Sequence, residues 1–381
     1  MRIASAGRIM VLAFGVVGLL GVLALPQEVA LTVWEVPYEN SFPGGIALGP
    51  NGTVFTVANG GQEAFRLDPA RDLFRSWGVG DRPADVTVVD GVVFCTVEND
   101  GLIVYFNPDG AAVSTAVIPF ADVKPREIHR GTDTASGNIG LWVAERGGSG
   151  VLRFEYNPQT DAPAAVGEPS DDAVVPENFD VVPITIETSY ERFQYELSLM
   201  PSPAPLSVAR TDHPFAEWTF FTGRFSVQDL AVAGDGKLWI SLGAPLLFRL
   251  DPIAGTIQEM ETIHNVETFQ GLLPAADGSI WFTNRVEGAI GHFDPALGLS
   301  ETWRIPATVE IFDLVFDPDG TIWYTDRIAD TIGNLNTWTG EATIYPVPAG
   351  SEPLYLQIDD AGDVWFTAGS GNYIARLTPA E

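Results

Sequence analysis

Asp277 to Asn284 reads DGSIWFTN, and close copies of this stretch punctuate the chain. It returns as DGTIWYTD (Asp319 to Asp326) and GDVWFTA (Gly362 to Ala368). Earlier versions are DGKLWIS (Asp235 to Ser241), GLWVAE (Gly140 to Glu145), DGVVFCT (Asp90 to Thr96) and NGTVFT (Asn51 to Thr56). The large aromatic serves as a marker: Phe55, Phe94, Trp142, Trp239, Trp281, Trp323 and Trp365. The last three intervals, 281−239, 323−281 and 365−323, all equal 42. A fixed period of this size signals stacked supersecondary units, each too small to bury its own apolar surface.

Each unit is built from strands. Asp-Gly or Asn-Gly supplies a tight turn, because glycine takes positive φ without a Cβ clash. The run that follows is apolar at every position and rich in β-branched and aromatic residues, as in a strand covered on both faces. An apolar strand precedes the turn, for example DLVFD (Asp313 to Asp317). A third strand follows the marker (IGNLN, Ile332 to Asn336) and a fourth completes the unit (ATIYPVP, Ala342 to Pro348). Four short antiparallel strands in about forty residues make a propeller blade. The expected fold is therefore all-β, a seven-bladed β-propeller of four-stranded antiparallel blades. The last unit stops at Glu381 after three strands, while Leu31 to Pro37 (LTVWEVP) is an orphan strand ahead of the first unit. Pairing the orphan with the last blade closes the propeller and leaves no long unpaired edge.

The chain of 381 residues then reads as a leader, residues 1–24, and one propeller domain, residues 31–381. Arg2 and Arg8 precede an uncharged apolar run from Ile9 to Leu25, which ends in Val22-Leu23-Ala24, a small-residue cleavage site. This is the pattern of a secretory signal peptide. An uncleaved anchor, with residues 9–25 tethering the protein to a membrane, is the alternative. Export, extracellular or periplasmic, is expected in either case. The single cysteine, Cys95, permits no intrachain disulfide, so packing must hold the fold. The spacing from Trp142 to Trp239 is 97 residues, and an insertion at about 159–214 interrupts blade three. Within it, VVPITIE (Val181 to Glu187) and RFQYELSL (Arg192 to Leu199) read as a hairpin, with a degenerate eighth blade as the alternative. EWTFFT (Glu217 to Thr222) reads as the fourth strand of blade three. The net charge is −30, from 20 basic and 50 acidic residues. Such a surface repels phosphate backbones and excludes nucleic acid as a partner. A monomer that binds a small molecule or a protein at its funnel is expected.

The series PxxI, DG-x-[IL]-W-[FY]-T, IG-x-[LF]-x-P and TGE-x-T-x-YP-x-P resembles the virginiamycin B lyase (streptogramin lyase) family of seven-bladed propellers. The clearest stretch is IGNLNTWTGEATIYPVP, Ile332 to Pro348. The resemblance implies a magnesium-dependent lyase that opens a cyclic depsipeptide by elimination at its ester. It implies histidines at a PHGI motif in the first strand of adjacent blades and a glutamate at a WFTE motif after the marker. In this chain the histidine position holds Gly44, Ala84, Arg126, Gln228, Gln270, Phe312 and Leu354 in blades one to seven. The glutamate position holds Val57, Val97, Glu145, Leu242, Asn284, Asp326 and Ala368, so only Glu145 is kept, with Arg126 as a candidate ion-pair mate. The four histidines, His129, His213, His264 and His292, lie elsewhere. No catalytic residue is therefore assigned. The candidate ligand-binding set is Arg126, Glu145, Gln228, Gln270, Asn284 and Asp326, with Arg285 and Arg327 just beyond. Oxygen donors of this kind suit Ca²⁺, as in the related gluconolactonase-like propellers, and either Mg²⁺ or Ca²⁺ would be the cofactor of a lyase or lactonase.

Overall fold

The computed structural model describes residues 2–5, 8–13, 29–120, 123–131, 137–146, 150–161, 180–184, 186–187, 206–210, 215–219, 226–242, 247–260, 269–285, 287–305 and 310–379. These form seven sheets in which the strands of each blade are successive antiparallel neighbours, the topology of a seven-bladed β-propeller; one short strand of the insertion, Ile186–Glu187, adds a parallel edge to blade four beside Thr256–Met260. Blade six shows the plan, with strands Ile311–Phe316, Ile322–Asp326, Thr331–Leu335 and Ala342–Pro346 in order. Blade seven has only three strands of its own, Pro353–Ile358, Val364–Ala368 and Tyr373–Thr378. Its fourth is Val29–Glu35, antiparallel to Tyr373–Thr378 in the register Leu31↔Leu377 and Trp34↔Ile374. The orphan strand thus closes the propeller as expected from the missing C-terminal strand.

The departures from four strands lie at outer edges. Leu206–Arg210 and Asp180–Ile184 extend blade three beyond Phe215–Thr219, giving six strands. The insertion therefore adds a strand pair to blade three, and no eighth sheet occurs among the described residues. The partner of Asp180–Ile184 is Leu206–Arg210, not the expected Arg192 to Leu199, which lies outside the described residues. Arg2–Ser5 pairs with Leu73–Gly78, and Arg8–Ala13 pairs with Val29–Glu35. No helix among the described residues is long and apolar enough to cross a membrane.

The chain divides into two compact units, one of residues 1–91, 283–290 and 302–381, the other of residues 92–282 and 291–301. In both there are marker strands buried at every position, such as Ile322–Asp326 and Leu238–Leu242, which explains their largely apolar sequence. In both units the marker ring also serves the following blade. In the first, Trp323 joins the core of blade seven (Leu356, Val364, Phe366) and Trp365 joins that of blade one (Ile46, Val54, Phe65). In the second, Trp142 packs with Leu230, Ile240 and Phe248 of blade four, and Trp239 with Phe269, Ile280 and Phe282 of blade five. Trp281, Trp323 and Trp365 are 8%, 3% and 2% exposed, so the three are equivalent in burial.

Two motif residues have simple steric causes. The glycine of the IG motif leaves room for the ring that follows the marker. A Cβ on Gly333 would fall 1.9 Å from Cζ of Tyr324, and one on Gly291 would fall 2.2 Å from Cε2 of Phe282. The next residue in the same strand covers the marker itself. Arg153, Arg249 and Arg376 lie 5.9, 5.2 and 5.4 Å over the rings of Trp142, Trp239 and Trp365. In blade five His292 does this work, its ring centroid 4.5 Å from that of Trp281.

At the closure, Trp34 is fully buried and stacks on Trp365 at 5.3 Å with an interplanar angle of 21°. Its Nε1 donates to Asp72 Oδ1 at 2.9 Å. Trp34→Ala should therefore lower stability by roughly 3–5 kcal/mol in urea unfolding, the range for truncating a buried large aromatic. A loss below ~1 kcal/mol would show that closure does not depend on this stack. Gly333→Ala should cost about 1–3 kcal/mol by overpacking against Tyr324, and Tyr324→Leu in the same chain should recover part of that loss.

Candidate functional site

The candidate residues sit where the innermost strand of each blade begins and where the marker strand ends. The innermost strand is irregular there. Its register with the marker strand shifts between Pro43 and Ile46, Pro125 and Ile128, Val227 and Asp229, Ile311 and Leu314, and Pro353 and Leu356. The shift is a β-bulge, which bends a strand and re-aims its side chains. Gly44, Arg126, Gln228, Phe312 and Leu354 all fall inside it.

The backbone of the bulge is pinned from the preceding blade. The marker-strand threonine donates its hydroxyl to the carbonyl at the family's histidine position in the next blade. Thr325 Oγ1 reaches Leu354 O at 2.6 Å, Thr367 Oγ1 reaches Gly44 O at 2.8 Å, and Thr96 Oγ1 reaches Arg126 O. Aspartates in the bulge add a second pin. Asp229 Oδ2 accepts from Leu272 N at 2.5 Å, and Asp313 Oδ2 accepts from Leu356 N at 3.0 Å. The threonine of the WFT motif is thus structural.

The six candidates divide between the two units. Arg126, Glu145, Gln228 and Gln270 belong to the second unit, and Asn284 and Asp326 to the first. Glu145 is 5% exposed and lies opposite Pro125. Arg126 is half-buried in the blade-three bulge. Gln228 donates from Nε2 to Ser226 Oγ at 2.9 Å. Gln270 lies on the strand Phe269–Pro274, and its side chain is outside the described residues. Asn284 is buried, with Nδ2 directed to Glu287 Oε2 at 3.5 Å. Asp326 is fully buried, and its Oδ1 accepts from the backbone of Glu310, Ile328 and Ala329 at 3.1, 3.2 and 3.0 Å. That carboxylate folds its own loop, which an isolated reading of the sequence does not show.

Next to Asp326 runs a charge ladder that the candidate set misses in part. Arg285 Nε meets Glu310 Oε1 at 2.9 Å, Arg327 Nη1 meets the same oxygen at 3.2 Å, and Arg327 Nη2 donates to Glu352 Oε1 at 2.6 Å. Ser370 donates to the other Glu352 oxygen at 2.5 Å. Arg327 also lies 5.9 Å over the ring of Phe312, which packs edge-on against Tyr355 at 5.3 Å. The repeat does contain the signal for Glu310 and Glu352. They stand 352−310 = 42 residues apart, as do Arg285 and Arg327 (327−285 = 42), so one period carries both rungs.

These donors fit a divalent cation poorly. Ca²⁺ requires six to eight oxygens, whereas Asp326 Oδ1 already accepts three amides and the Glu310 and Glu352 carboxylates are matched to guanidinium groups. Among the described residues, no three His, Cys, Asp or Glu side chains converge as a metal would need. His129, three residues past Arg126, makes no hydrogen bond through Nε2, and enclosure in protein lowers its pKa to about 4. It is neutral at physiological pH and faces Trp142 across the strand pair.

Residues 217–381 match the model of the virginiamycin B lyase family. No curated protein sequence matches the chain. Among solved structures, a catalytically inactive histidine-to-alanine variant of virginiamycin B lyase from Staphylococcus aureus, crystallised with quinupristin, is similar at a TM-score of 0.68. It is 17% identical, with 92% of this chain and 99% of that chain covered. A streptogramin B lyase gives the same TM-score at 16% identity, with 92% and 98% covered. The extracellular domain of a hybrid two-component system from B. thetaiotaomicron is more distant, at TM-score 0.55 and 14% identity, covering 89% of this chain and 40% of that one.

His129 yields a pH prediction. Its folded pKa of about 4 lies below the ordinary 6.5, so the unfolded chain binds the extra proton between those values. Stability from this group is complete above 6.5 and is lost as pH falls toward 4. His129→Gln should flatten that part of the urea-unfolding profile, and an unchanged slope would remove His129 as its source.

Proposed function

We propose that this chain, a seven-bladed propeller with the virginiamycin B lyase family repeat over residues 217–381, is an exported ligand-binding scaffold. The single observation that carries this reading is the replacement of the family's histidines. Their positions hold Gly44, Ala84, Arg126, Gln228, Gln270, Phe312 and Leu354, so no imidazole stands there to take a proton. The engagement of Asp326, Glu310 and Glu352 with backbone amides and arginines supports it, since groups so employed are not available as bases.

The binding surface is the funnel end of the blades, where the bulged strand of blade six presents Phe312. The ligand is a small molecule or a protein segment. Within the first unit, the partly exposed rings of Phe312 and Tyr355 would cover its apolar parts. The acidic surface disfavours nucleic acid. The leader directs export, with residues 9–25 serving as a tether where it is not cleaved.

The rival reading, a magnesium- or calcium-dependent lyase or lactonase, rests on Glu145 at the family's glutamate position and on the oxygen donors of the candidate set. A thermal-shift series with Mg²⁺ and Ca²⁺, with and without EDTA, separates the two. Specific binding to the folded state raises the melting temperature by mass action, by the equivalent of about 2.7 kcal/mol at a hundredfold excess over Kd. The expected result is no metal-dependent shift and no ring opening of a cyclic depsipeptide or lactone by mass spectrometry. A saturable shift that Glu145→Ala abolishes, together with turnover, would overturn the scaffold reading.

A further inference from the structure

Trp338 is 90% exposed, although an indole has more apolar area to hide than any other side chain. It stands on the turn between the third and fourth strands of blade six, and that turn is tied down. Asn336 Oδ1 accepts the N–H groups of Trp338 and Thr339 at 2.9 and 3.0 Å, and Gly340 N–H donates to Asn336 O at 2.9 Å. Thr337 Oγ1 donates to Gly320 O at 3.2 Å, which fastens the turn to the neighbouring one. A second indole, the half-buried Trp303, lies alongside, since a Cβ on Gly340 would fall 3.1 Å from its Cδ1. The Trp338 ring is therefore held out on a fixed backbone, as an anchor is.

Strand direction shows what else reaches this end of the first unit. In blade seven the third strand runs to Thr378, and the donated strand starts opposite it, Ala30 facing Thr378. Arg8–Ala13 in turn ends opposite Val29. Residues 14–28, FGVVGLLGVLALPQE, therefore leave and rejoin the domain at the turn end of blade seven, the blade next to Trp338. Glu28 is their one charged residue. In the second unit, taken by itself, the same turn carries Ile253 in blade four and Leu297 in blade five, 93% and 69% exposed. In blades one and two it carries Arg71 and Asp109 instead.

We propose that the turn end of blade six docks on a lipid surface of zwitterionic headgroups, with the Trp338 indole in the headgroup layer. An indole pairs an apolar face with an N–H donor, and so settles where hydrocarbon meets water. The apolar segment that joins the domain at the same end brings that surface within reach.

Charge selects the class of lipid. The turns at this end of blades six and seven, residues 317–320, 336–341 and 359–363, expose Asp319, Glu341 and Asp360 and contain no Lys or Arg. Such a rim is repelled by anionic headgroups and accepts the outward ammonium of a choline headgroup. Docking here leaves the funnel end of the unit facing water, so it goes beyond the scaffold reading and does not depend on it.

The test uses the full chain carrying Trp338→Cys or Ile328→Cys, each labelled with a polarity-sensitive fluorophore. Ile328 is 53% exposed in the loop after the marker strand, at the funnel end of the same blade, and the native thiol, Cys95, is buried away from the label. With phosphatidylcholine vesicles the label at 338 should shift to the blue and lose several-fold of its quenching by iodide. The label at 328 should behave as in buffer. Two unchanged labels, or two that change alike, would overturn the proposal. So would a chain that sediments with vesicles through its leader while the label at 338 stays in water. Trp338→Ala should lower co-sedimentation with the same vesicles several-fold, and equal binding would count against the anchor. Replacing part of the phosphatidylcholine by phosphatidylglycerol should weaken binding at low salt, and tighter binding would overturn the choice of lipid.

Discussion

The fold depends on one non-local pairing, Val29–Glu35 against Tyr373–Thr378, which joins the start of the domain to its end. Without it blade seven would be a three-stranded sheet with an open edge. The stacking of Trp34 on Trp365 makes the pairing specific. Arg376 lies 5.9 and 5.4 Å from these two rings, and Asp72 takes the Trp34 N–H. A strand slipped by one residue would turn Trp34 to the opposite face and lose all of these contacts at once.

The same economy governs the contacts between consecutive blades. A marker tryptophan fills the core of the next blade, and the threonine two residues on pins the next blade's bulge. The polar edge of the indole is satisfied locally: Trp323 and Trp365 donate to Asp317 and Asp359 at 2.9 and 2.8 Å, six residues back in each case. One short strand therefore carries apolar burial, hydrogen-bond satisfaction and register.

This concentration of roles explains why the fold was legible in the sequence and the site was only partly so. The period of 42 and the run of buried residues at each marker follow from packing within a blade and appear as local patterns. Glycine at positions 291 and 333 was visible as part of a motif, but its cause, the ring of Phe282 or Tyr324, lies on the adjacent strand. The bulges left no mark in the hydrophobic pattern, because an extra residue in an apolar strand does not change its composition. The Asp326 carboxylate read as a ligand donor because the three amides that occupy it belong to backbone rather than to side chains. The Glu310 and Glu352 rungs were within reach, since repeat spacing alone aligns them, yet they fall outside the family's catalytic positions. The strand Leu206–Arg210 eluded the reading of the insertion because its partner, Asp180–Ile184, is more than twenty residues away.

The bulge also explains how a propeller can keep its architecture while its funnel chemistry changes. At the family's histidine position, the neighbouring blade holds the backbone carbonyl: Leu354 O by Thr325, Gly44 O by Thr367 and Arg126 O by Thr96. A carbonyl is common to every residue type, so glycine, arginine and leucine satisfy this contact equally well. The side chain is left out of the interblade bond and is free to vary. The next position is less permissive where it bears an aspartate, because Asp229 and Asp313 use their side chains to hold the following blade. Adjacent residues in one bulge thus face different constraints. The first can vary with no loss of the interblade bond, while the second is fixed by the bonds that its own side chain makes.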